Sequence, residues 1–545
     1  MSEGGRAGLS LARSGLTDEG AAGLLETLGW CRNGSLRHDA HQALWALSRA
    51  PDPNLALRTL ARLRSALGSG WAELDELICQ DTGARGRLLG VLGSSTALGD
   101  HLVASPGRWR GPACSAAAQP GWAHEAAQRL LTAVGADSAD APADAGGPRA
   151  SLPGAQARRA LRDAYRDLIT ELAAADLAAV VEPELPVLPF EQVGEALAEL
   201  AVGVLHAALA AAVTEASPRG TPPRLAVIGM GKCGAAELNY VSDVDVIFVG
   251  DAEDELGAAT KLASATMRLA SGCFEVDAAL RPEGKAGPLV RTLQGHLSYY
   301  RRWAKTWEFQ ALLKARPVAG DAELGAQYLD AVAPLVWTAA NRENFVPEVQ
   351  AMRRRVTDHL RPELAERELK LGYGGLRDVE FAVQLLQLVH GRTDDSLRVR
   401  PTVTALAALA AGGYVGRDDA ANLAASYRFL RLLEHRLQLQ KLRRTHLLPA
   451  EDDTAAWRWL ARAAAMRPDG RHDALGMLRM EYTRQAHRAR RLHQKLFYRP
   501  LLEAVAKVPT EAYRLSEDSA KARLAALGYA SPQGALGHLR ALTSG

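Results

Sequence analysis

The sequence has few cysteines, few aromatic residues and almost no net charge. Five cysteines occur among 545 residues, and none forms a C-x-x-C pair. This pattern fits neither a disulfide framework nor a zinc site, and it predicts a reducing, cytoplasmic location. The 65 basic and 62 acidic residues leave a net charge of +3, so neither nucleic acid nor an anionic membrane surface is expected as a partner.

Long hydrophobic runs are also missing. The longest apolar run covers residues 200 to 213 and is interrupted by His206. It is shorter than the roughly 20 residues that cross a bilayer, and the N-terminal MSEGGRAGLSLARSG lacks the continuous apolar core of a signal peptide. We therefore expect neither export nor a membrane span.

The chain does have ample material for a core. Hydrophobic residues make up 48% of it but aromatic residues only 6%, and Ala, Leu and Val dominate, which favours helices over a β-sandwich. The predicted fold class is α+β and mostly helical. The pattern divides the chain into a helical region at 1–106, a flexible linker rich in Pro, Gly, Ala and Asp at 107–154, a sheet-containing domain with leading helices at 155–335, a helical bundle at 336–510, and a final segment at 511–545.

A glycine-containing turn followed by two aspartates is the most informative motif. In IGMGKCGAAELNYVSDVDVIFVG, a predicted strand runs into a turn with Gly231 and Gly234, whose backbone could cradle phosphates. Lys232 and Ser242 could add direct phosphate contacts.

Asp243 and Asp245 stand two residues apart on the next predicted strand, so both carboxylates project from one face. The later run FEVDAAL adds Asp277 from a neighbouring strand. Three carboxylates suit Mg²⁺, which uses hard oxygen ligands together with substrate phosphates. A two-metal site of this kind serves in-line displacement at phosphorus, so the predicted reaction class is nucleotidyl transfer. Either fragment alone is commonly a plain turn or a solvated edge.

A charged loop, LRPEGKAGPLV, follows the third aspartate. Arg281 and Lys285 in this loop could meet a phosphate or the acceptor of the transferred group. The alternative that we keep open is a solvated loop without a functional role.

Four blocks in this order resemble the bifunctional glutamine synthetase adenylyltransferase/adenylyl-removing family. They are GMGKCGAAELNYVSDVDVIF, FEVDAALRPEGKAGPLV, WAKTWEFQALLKARPVAGD and KLGYGGLRDVEFAVQLLQL. The resemblance implies a polymerase β-like nucleotidyltransferase domain flanked by an N-terminal helical region and a C-terminal bundle. Family members resemble a tandem duplication, and this chain resembles the N-terminal, adenylyl-removing half, with 511–545 as a linker and the start of a truncated second repeat.

The resemblance also implies a reaction, phosphorolysis of adenylylated glutamine synthetase, in which phosphate releases AMP from a tyrosine as ADP. Asp243, Asp245 and Asp277 would hold Mg²⁺, and the turn residues would hold phosphates. The block GGLRDVEF could bring Arg377 and Glu380 to the site from the bundle, or it could only pack. Where many members have glycine, this chain has Ala235, which is tolerated if its φ is negative.

Two alternatives remain open at this point. The chain could work forward, transferring AMP from ATP to the synthetase, because the same site serves either direction. It could also be a non-catalytic regulatory fragment that binds the synthetase or the PII nitrogen-signalling protein. PII is a partner that the resemblance implies for the family.

Overall fold

The computed structural model describes residues 11–136, 149–216, 220–358, 360–498, 520–521, 524–525 and 531–543. The final predicted segment, 511–545, lies mostly outside the described residues. Within the described ranges the chain is mostly helical and contains one five-stranded sheet and one two-stranded hairpin. The α+β class predicted from composition is confirmed.

The N-terminal region folds into helices around its own core. Three of these helices begin at a side-chain N-cap: Asp52, Asp81 and Ser95 each accept a hydrogen bond from a backbone N–H of the first helical turn. A small hairpin, β1 (Cys31–Arg32) and β2 (Ser35–Leu36), was not predicted. The helices are α1 (Ala21–Leu28), α2 (His41–Arg49), α3 (Pro53–Leu67), α4 (Trp71–Gln80), α5 (Thr82–Ser94) and α6 (Thr96–Ala104).

Much of the segment predicted as a flexible linker is ordered. Two helices lie between residues 107 and 136, α7 (Arg110–Ala113) and α8 (Trp122–Ala133). The side chains of Trp109, Trp122 and Leu130 are buried, and these apolar anchors stabilise a segment whose Pro and Gly content had suggested a linker. Residues 137–148, the most Ala- and Asp-rich part, lie outside the described ranges.

Two long helices form the layer behind the sheet, α9 (Gly154–Val181) and α10 (Phe190–Ala216). In the described part of the chain, α10 alone is long and apolar enough to cross a membrane, with a mean hydropathy of 2.0, but 78% of that stretch is buried in the protein. Buried core helices pass this test as readily as membrane spans do, so the helix is weak evidence for a membrane span.

The sheet has the strand order β5-β4-β3-β7, and β6 pairs with the far end of β4. Strand β3 is antiparallel to both of its neighbours, β4 and β7. Strands β5 and β6 run parallel to β4. The three predicted strands are present, and two more extend the sheet. The strands are β3 (Leu225–Gly229), β4 (Val244–Gly250), β5 (Val276–Asp277), β6 (Val290–Thr292) and β7 (Arg316–Gly320).

The two faces of the sheet pack on different layers. Val227, Val244 and Phe248 belong to the core shared with α9 and α10, while Ile228 and Ile247 belong to the core shared with the bundle. The alternation along β4 therefore turns the odd-numbered side chains towards the bundle. The helices around the sheet are α11 (Gly231–Gly234), α12 (Leu256–Ala270), α13 (Leu293–Arg302), α14 (Thr306–Leu312) and α15 (Ala322–Trp337).

Packed helices form a bundle in the C-terminal part of the described chain. Its helices are α16 (Phe345–Asp358), α17 (Leu376–His390), α18 (Thr402–Ala411), α19 (Arg417–Lys441), α20 (Thr454–Ala463) and α21 (Ala474–Phe497), and a further helix, α22 (Pro532–Thr543), lies near the end. Helix α19 runs through the middle of the molecule, and its Arg431, Glu434 and Arg436 are buried.

Candidate active site

The three predicted carboxylates meet where β4 begins. Asp245 on β4 and Asp277 on β5 are partners in the parallel register of these strands. Asp243 directly precedes β4, rather than lying in the strand as predicted, and its spacing of two residues places it on the face of Asp245. Val244 points to the opposite core. The structure therefore brings Asp245 and Asp277 side by side, and Asp243 lies close enough to raise the pKa of Asp245.

The environment of Asp245 disfavours its negative charge. Burial raises the pKa of this carboxyl group to about 6, and the neighbouring Asp277 and Asp243 act in the same direction. The positive charges of Lys370 and Arg377 oppose these effects only in part. A further positive charge at this position would stabilise the ionised form.

The other two carboxylates already have partners. An oxygen of Asp277 accepts a hydrogen bond from the backbone N–H of Ala279 at 2.8 Å. Asp243 forms an ion pair with Arg444, which lies in the loop after α19. Among the described residues, no three His, Cys, Asp or Glu side chains are already arranged as metal ligands.

The donor set nevertheless fits a divalent cation. Carboxylate oxygens are the ligands that Mg²⁺ prefers, and adjacent carboxylates of like charge are stabilised when they share a cation. Asp245 and Asp277 offer such a pair. Asp243 could join them once it no longer pairs with Arg444.

The glycine turn needs glycine for two different reasons. Gly231 has a positive φ of 52°, and a Cβ there would lie 2.6 Å from a carboxylate oxygen of Asp245. Gly234 has no such φ, but a Cβ there would lie 1.9 Å from the backbone oxygen of Lys314. Ala235 has a negative φ of −79°, so alanine is tolerated where many family members have glycine. The turn thus packs directly against the carboxylates.

Lys232 extends from the turn into the bundle. Its amine lies 3.3 and 3.4 Å from the two carboxylate oxygens of Glu434 on α19, and its side chain is 13% exposed. Burial lowers the pKa of Lys232 to about 7, against the opposing effect of Glu434. The predicted phosphate ligand is therefore held by a helix of the bundle in this structure.

The remaining predicted phosphate ligands differ in their placement. The Ser242 hydroxyl donates to the backbone oxygen of Asp243 at 2.8 Å, beside the carboxylates. Arg281 donates to backbone oxygens of its own loop, among them those of Ala278 at 2.8 Å and Gly287 at 3.1 Å. Lys285 is exposed in the short 3₁₀ turn of that loop. Arg281 thus shapes the loop, and its guanidinium is already engaged.

The GGLRDVEF block does approach the carboxylates from α17. Arg377 is close enough to Asp245 to lower the pKa of that carboxyl group, and it lies 3.7 Å from Glu380. Glu380 is buried, which would raise its pKa, but the charges of Arg377 and Lys232 hold that pKa below its ordinary value.

Other members of the same block pack the bundle. Val379, Val383 and Leu386 are buried, and Asp378 accepts a hydrogen bond from Arg353 at 2.8 Å. The two interpretations that the sequence left open therefore apply to different residues of the block.

Sequence reasoning missed three charged residues of the site. Lys370 opens the KLGYGG block, so the resemblance could have drawn attention to it. Arg444 and Glu434 lie about 200 residues from their partners in the sheet domain, and no local pattern signals such a contact.

Comparisons with known proteins agree with the resemblance. The family model for glutamate-ammonia ligase adenylyltransferase matches residues 115–331, which include the sheet and the glycine turn. The model for GlnD PII-uridylyltransferase matches residues 348–497, which form the bundle.

Relatives match almost the whole chain. The chain is 61% identical over 537 residues to the bifunctional glutamine synthetase adenylyltransferase/adenylyl-removing enzyme of Nocardia farcinica. It is 56% identical to the enzymes of the same name from Mycolicibacterium smegmatis, over 542 residues, and Mycobacterium tuberculosis, over 540 residues. Each match covers 98% of this chain and 52% of the relative, so the chain spans about half the length of the curated relatives. Over 98% of its length the chain is thus homologous to bifunctional glutamine synthetase adenylyltransferase/adenylyl-removing enzymes.

Proposed function

We propose that this chain is the adenylyl-removing half of such an enzyme and releases AMP from adenylylated glutamine synthetase by phosphorolysis. The observation that carries the proposal is the pairing of Asp245 with Asp277 in register, beside a glycine turn and next to Asp243. The antiparallel and parallel strand pairs, with helices behind them, support a polymerase β-like nucleotidyltransferase domain.

Mg²⁺ is the cofactor that we propose, held by Asp245, Asp277 and Asp243. When bound, the cation supplies Lewis acidity that neutralises charge on the phosphoryl group and on the attacking and leaving oxygens. The raised pKa of Asp245 supports this assignment, because an added positive charge favours the ionised carboxylate.

Residues of the bundle complete the proposed site. Lys370 and Arg377 lie near Asp245 on the face of the sheet that the bundle covers. In that position they can bind the AMP phosphate by charge-assisted hydrogen bonds and orient its phosphorus. The turn around Gly231 brings backbone close to the same place. Substrate binding and orientation, rather than proton transfer, are therefore the main tasks of this chain's side chains.

The direct test uses the full chain with adenylylated glutamine synthetase, Mg²⁺ and inorganic phosphate. We expect ADP to appear in step with unmodified tyrosine. An Asp243→Asn, Asp245→Asn double variant is expected to lose at least a thousandfold in rate, because the carboxylates stabilise the transition-state charge through the cation. Asp254→Asn, an exposed change after β4, is the matched control and should retain activity.

Other outcomes would contradict the proposal in distinct ways. Transfer of label from ATP to the synthetase, without ADP formation from phosphate, would mean that the chain works forward. Capture of the synthetase or of PII without any turnover would mean that the chain is a regulatory fragment. PII as a partner and a cytoplasmic location remain parts of the proposal that a pull-down and cell fractionation would test.

A further inference from the structure

A cavity of about 310 Å³ lies beside Asp243. Its walls come from α9, from the segments 238–243 and 272–275, and from the start of the loop after α19. Tyr165 and Phe274 form an apolar part of the wall, with ring centroids 5.8 Å apart in an edge-to-face contact. Three arginines, Arg162, Arg166 and Arg444, supply the polar part.

The position of Arg166 follows from the periodicity of α9. Arg162, Tyr165 and Arg166 stand at three- and four-residue spacing, so they share one face of the helix, and all three line the cavity. Burial raises the pKa of the Cys273 thiol to about 12, and the charges of Arg166 and Arg162 oppose this effect. Arg166 and Cys273 both line the cavity.

The charges around the cavity leave Arg166 unneutralised. Arg162 pairs with its neighbour Asp163 at 3.0 Å, and Arg444 pairs with Asp243. In the described ranges no ion pair involves Arg166. The lining also contains Glu275, which is exposed and is in no ion pair either. The cavity thus presents a partly buried guanidinium without an ion pair in a lining that also includes Asp243.

Two of the cations that the sequence suggested for phosphate binding are engaged elsewhere, and the third, Lys285, is exposed in the loop after β5 and does not line this cavity. Lys232 is held by Glu434, and Arg281 donates to backbone oxygens of its own loop. Arginine suits phosphate better than lysine does, because its planar fork can donate two parallel hydrogen bonds. Arg166 lines the cavity beside Asp243 and is in no ion pair in the described part of the chain, so it is available to a phosphate that approaches from that side.

We propose that the cavity beside Asp243 binds the attacking inorganic phosphate, with Arg166 as its main ligand and Arg162 and Arg444 at its edges. This inference rests on the proposed phosphorolysis and adds the position of the second substrate. An oxygen of hydrogen phosphate forms the new bond to the AMP phosphorus while the bond to the tyrosine oxygen breaks. The tyrosine oxygen keeps that electron pair and takes up a proton, which balances the proton lost by the phosphate, and the attacking phosphate becomes the terminal phosphate of ADP.

The first test measures binding to the full chain without the protein substrate. Isothermal titration with inorganic phosphate, AMP and ADP should show that Arg166→Met weakens phosphate and ADP about tenfold and leaves AMP unchanged. Arg159→Met, an exposed change earlier on α9, is the matched control and should change none of the three. Equal phosphate affinity in Arg166→Met and the wild type, or an equal loss for AMP, would overturn the inference.

The second test separates this inference from the proposed function. In the phosphorolysis assay, Arg166→Met should raise the KM for phosphate about tenfold without changing the KM for the modified synthetase, and Arg166→Lys should recover part of the loss. If ADP forms but the KM for phosphate is unchanged in Arg166→Met, the inference fails and the function stands. If phosphate binds through Arg166 but no ADP forms, the anion site stands and phosphorolysis fails.

Discussion

Asp245 is the residue at which stability and function oppose each other. It is mostly buried and lies next to Asp277 and Asp243, so its ionised form is disfavoured. Such a carboxyl group persists in functional sites because a bound cation reverses the effect. Without a bound cation, the disfavoured charge of Asp245 lowers the stability of the folded protein.

The pH dependence of the free energy of unfolding should show this loss of stability. The folded-state pKa of about 6 lies above the ordinary value of 3.8, so between these values the folded protein holds the proton that the unfolded chain releases. This group therefore makes stability fall as the pH rises from about 4 to about 6, and a shift of about two units corresponds to about 3 kcal/mol.

We expect Asp245→Asn to be about 1–3 kcal/mol more stable than the wild type at pH 7 without a divalent cation, because the disfavoured charge is gone. Urea unfolding with and without Mg²⁺ measures this, and Mg²⁺ should stabilise the wild type only. Asp251→Asn, at the surface end of the same strand, should change stability by less than about 1 kcal/mol. A variant that is less stable than the wild type at pH 7 would contradict this interpretation.

Arg444 is expected to compete with the cation for Asp243. Without the guanidinium, the carboxylate is free, so Arg444→Met should bind Mn²⁺ about three- to tenfold more tightly in a calorimetric titration without phosphate or nucleotide. The neighbouring exposed Arg443 provides the control, Arg443→Met, which should match the wild type. Unchanged or weaker Mn²⁺ binding by Arg444→Met would show that the ion pair does not restrain the site.

Among single residues, the local sequence pattern pointed to the carboxylates and the glycine turn. It did not point to Glu434 and Arg444, which contact them from about 200 residues away. The apolar runs around Asp245 and Asp277 predicted neighbouring strands, so the approach of these two carboxylates could be foreseen, whereas the position of Asp243 just before β4 could not. The engagement of Lys232 by Glu434 could not, because it depends on how a bundle helix about 200 residues later packs on the turn.

Among the elements, α19 makes the most consequential contacts. Arg436 donates to both carboxylate oxygens of Asp176 on α9, and both side chains are 5% exposed. Arg431 donates to the side chain of Asn239 and to the backbone oxygens of residues 237 and 238. Through these contacts the bundle holds the segment that leads into Asp243.

Removal of one partner of the buried pair should be costly. We expect Arg436→Met to lower the free energy of unfolding by about 3–5 kcal/mol, because it leaves the charge of Asp176 buried without its main partner. Arg428→Met on the same helix removes an exposed pair with Glu191 and should cost less than about 1 kcal/mol. Urea unfolding of both variants measures the contrast, and similar values for the two would contradict it.

The elements also show where sequence patterns suffice. Continuous apolar runs predicted β3 and β4, which are buried along nearly their whole length, and the run FEVDAAL predicted β5. Strand β6 was missed because its three residues, which include Arg291, form no apolar run, and β7 because it lies at the sheet edge and contains Pro317. The ordered part of the predicted linker depends on Trp109 and Trp122, whose burial in neighbouring helices has no local signature.

In the whole molecule, three hydrophobic cores are joined through the sheet and α19. One core holds the N-terminal helices, one lies behind the sheet, and one joins the other face of the sheet to the bundle. Arg462 in the bundle also donates to the backbone oxygen of Ala50 at 2.7 Å. Because the carboxylates face the bundle, the site is complete only when sheet domain and bundle fold together.

The position of a bound cation tests the central claim most directly. Crystals of the full chain grown with Mn²⁺ should show an anomalous-scattering peak between the carboxylates of Asp245 and Asp277, within coordination distance of both, and Asp245→Asn crystals should lose it. An occupied Mn²⁺ site elsewhere, with no peak between these two carboxylates at saturating concentration, would contradict the account.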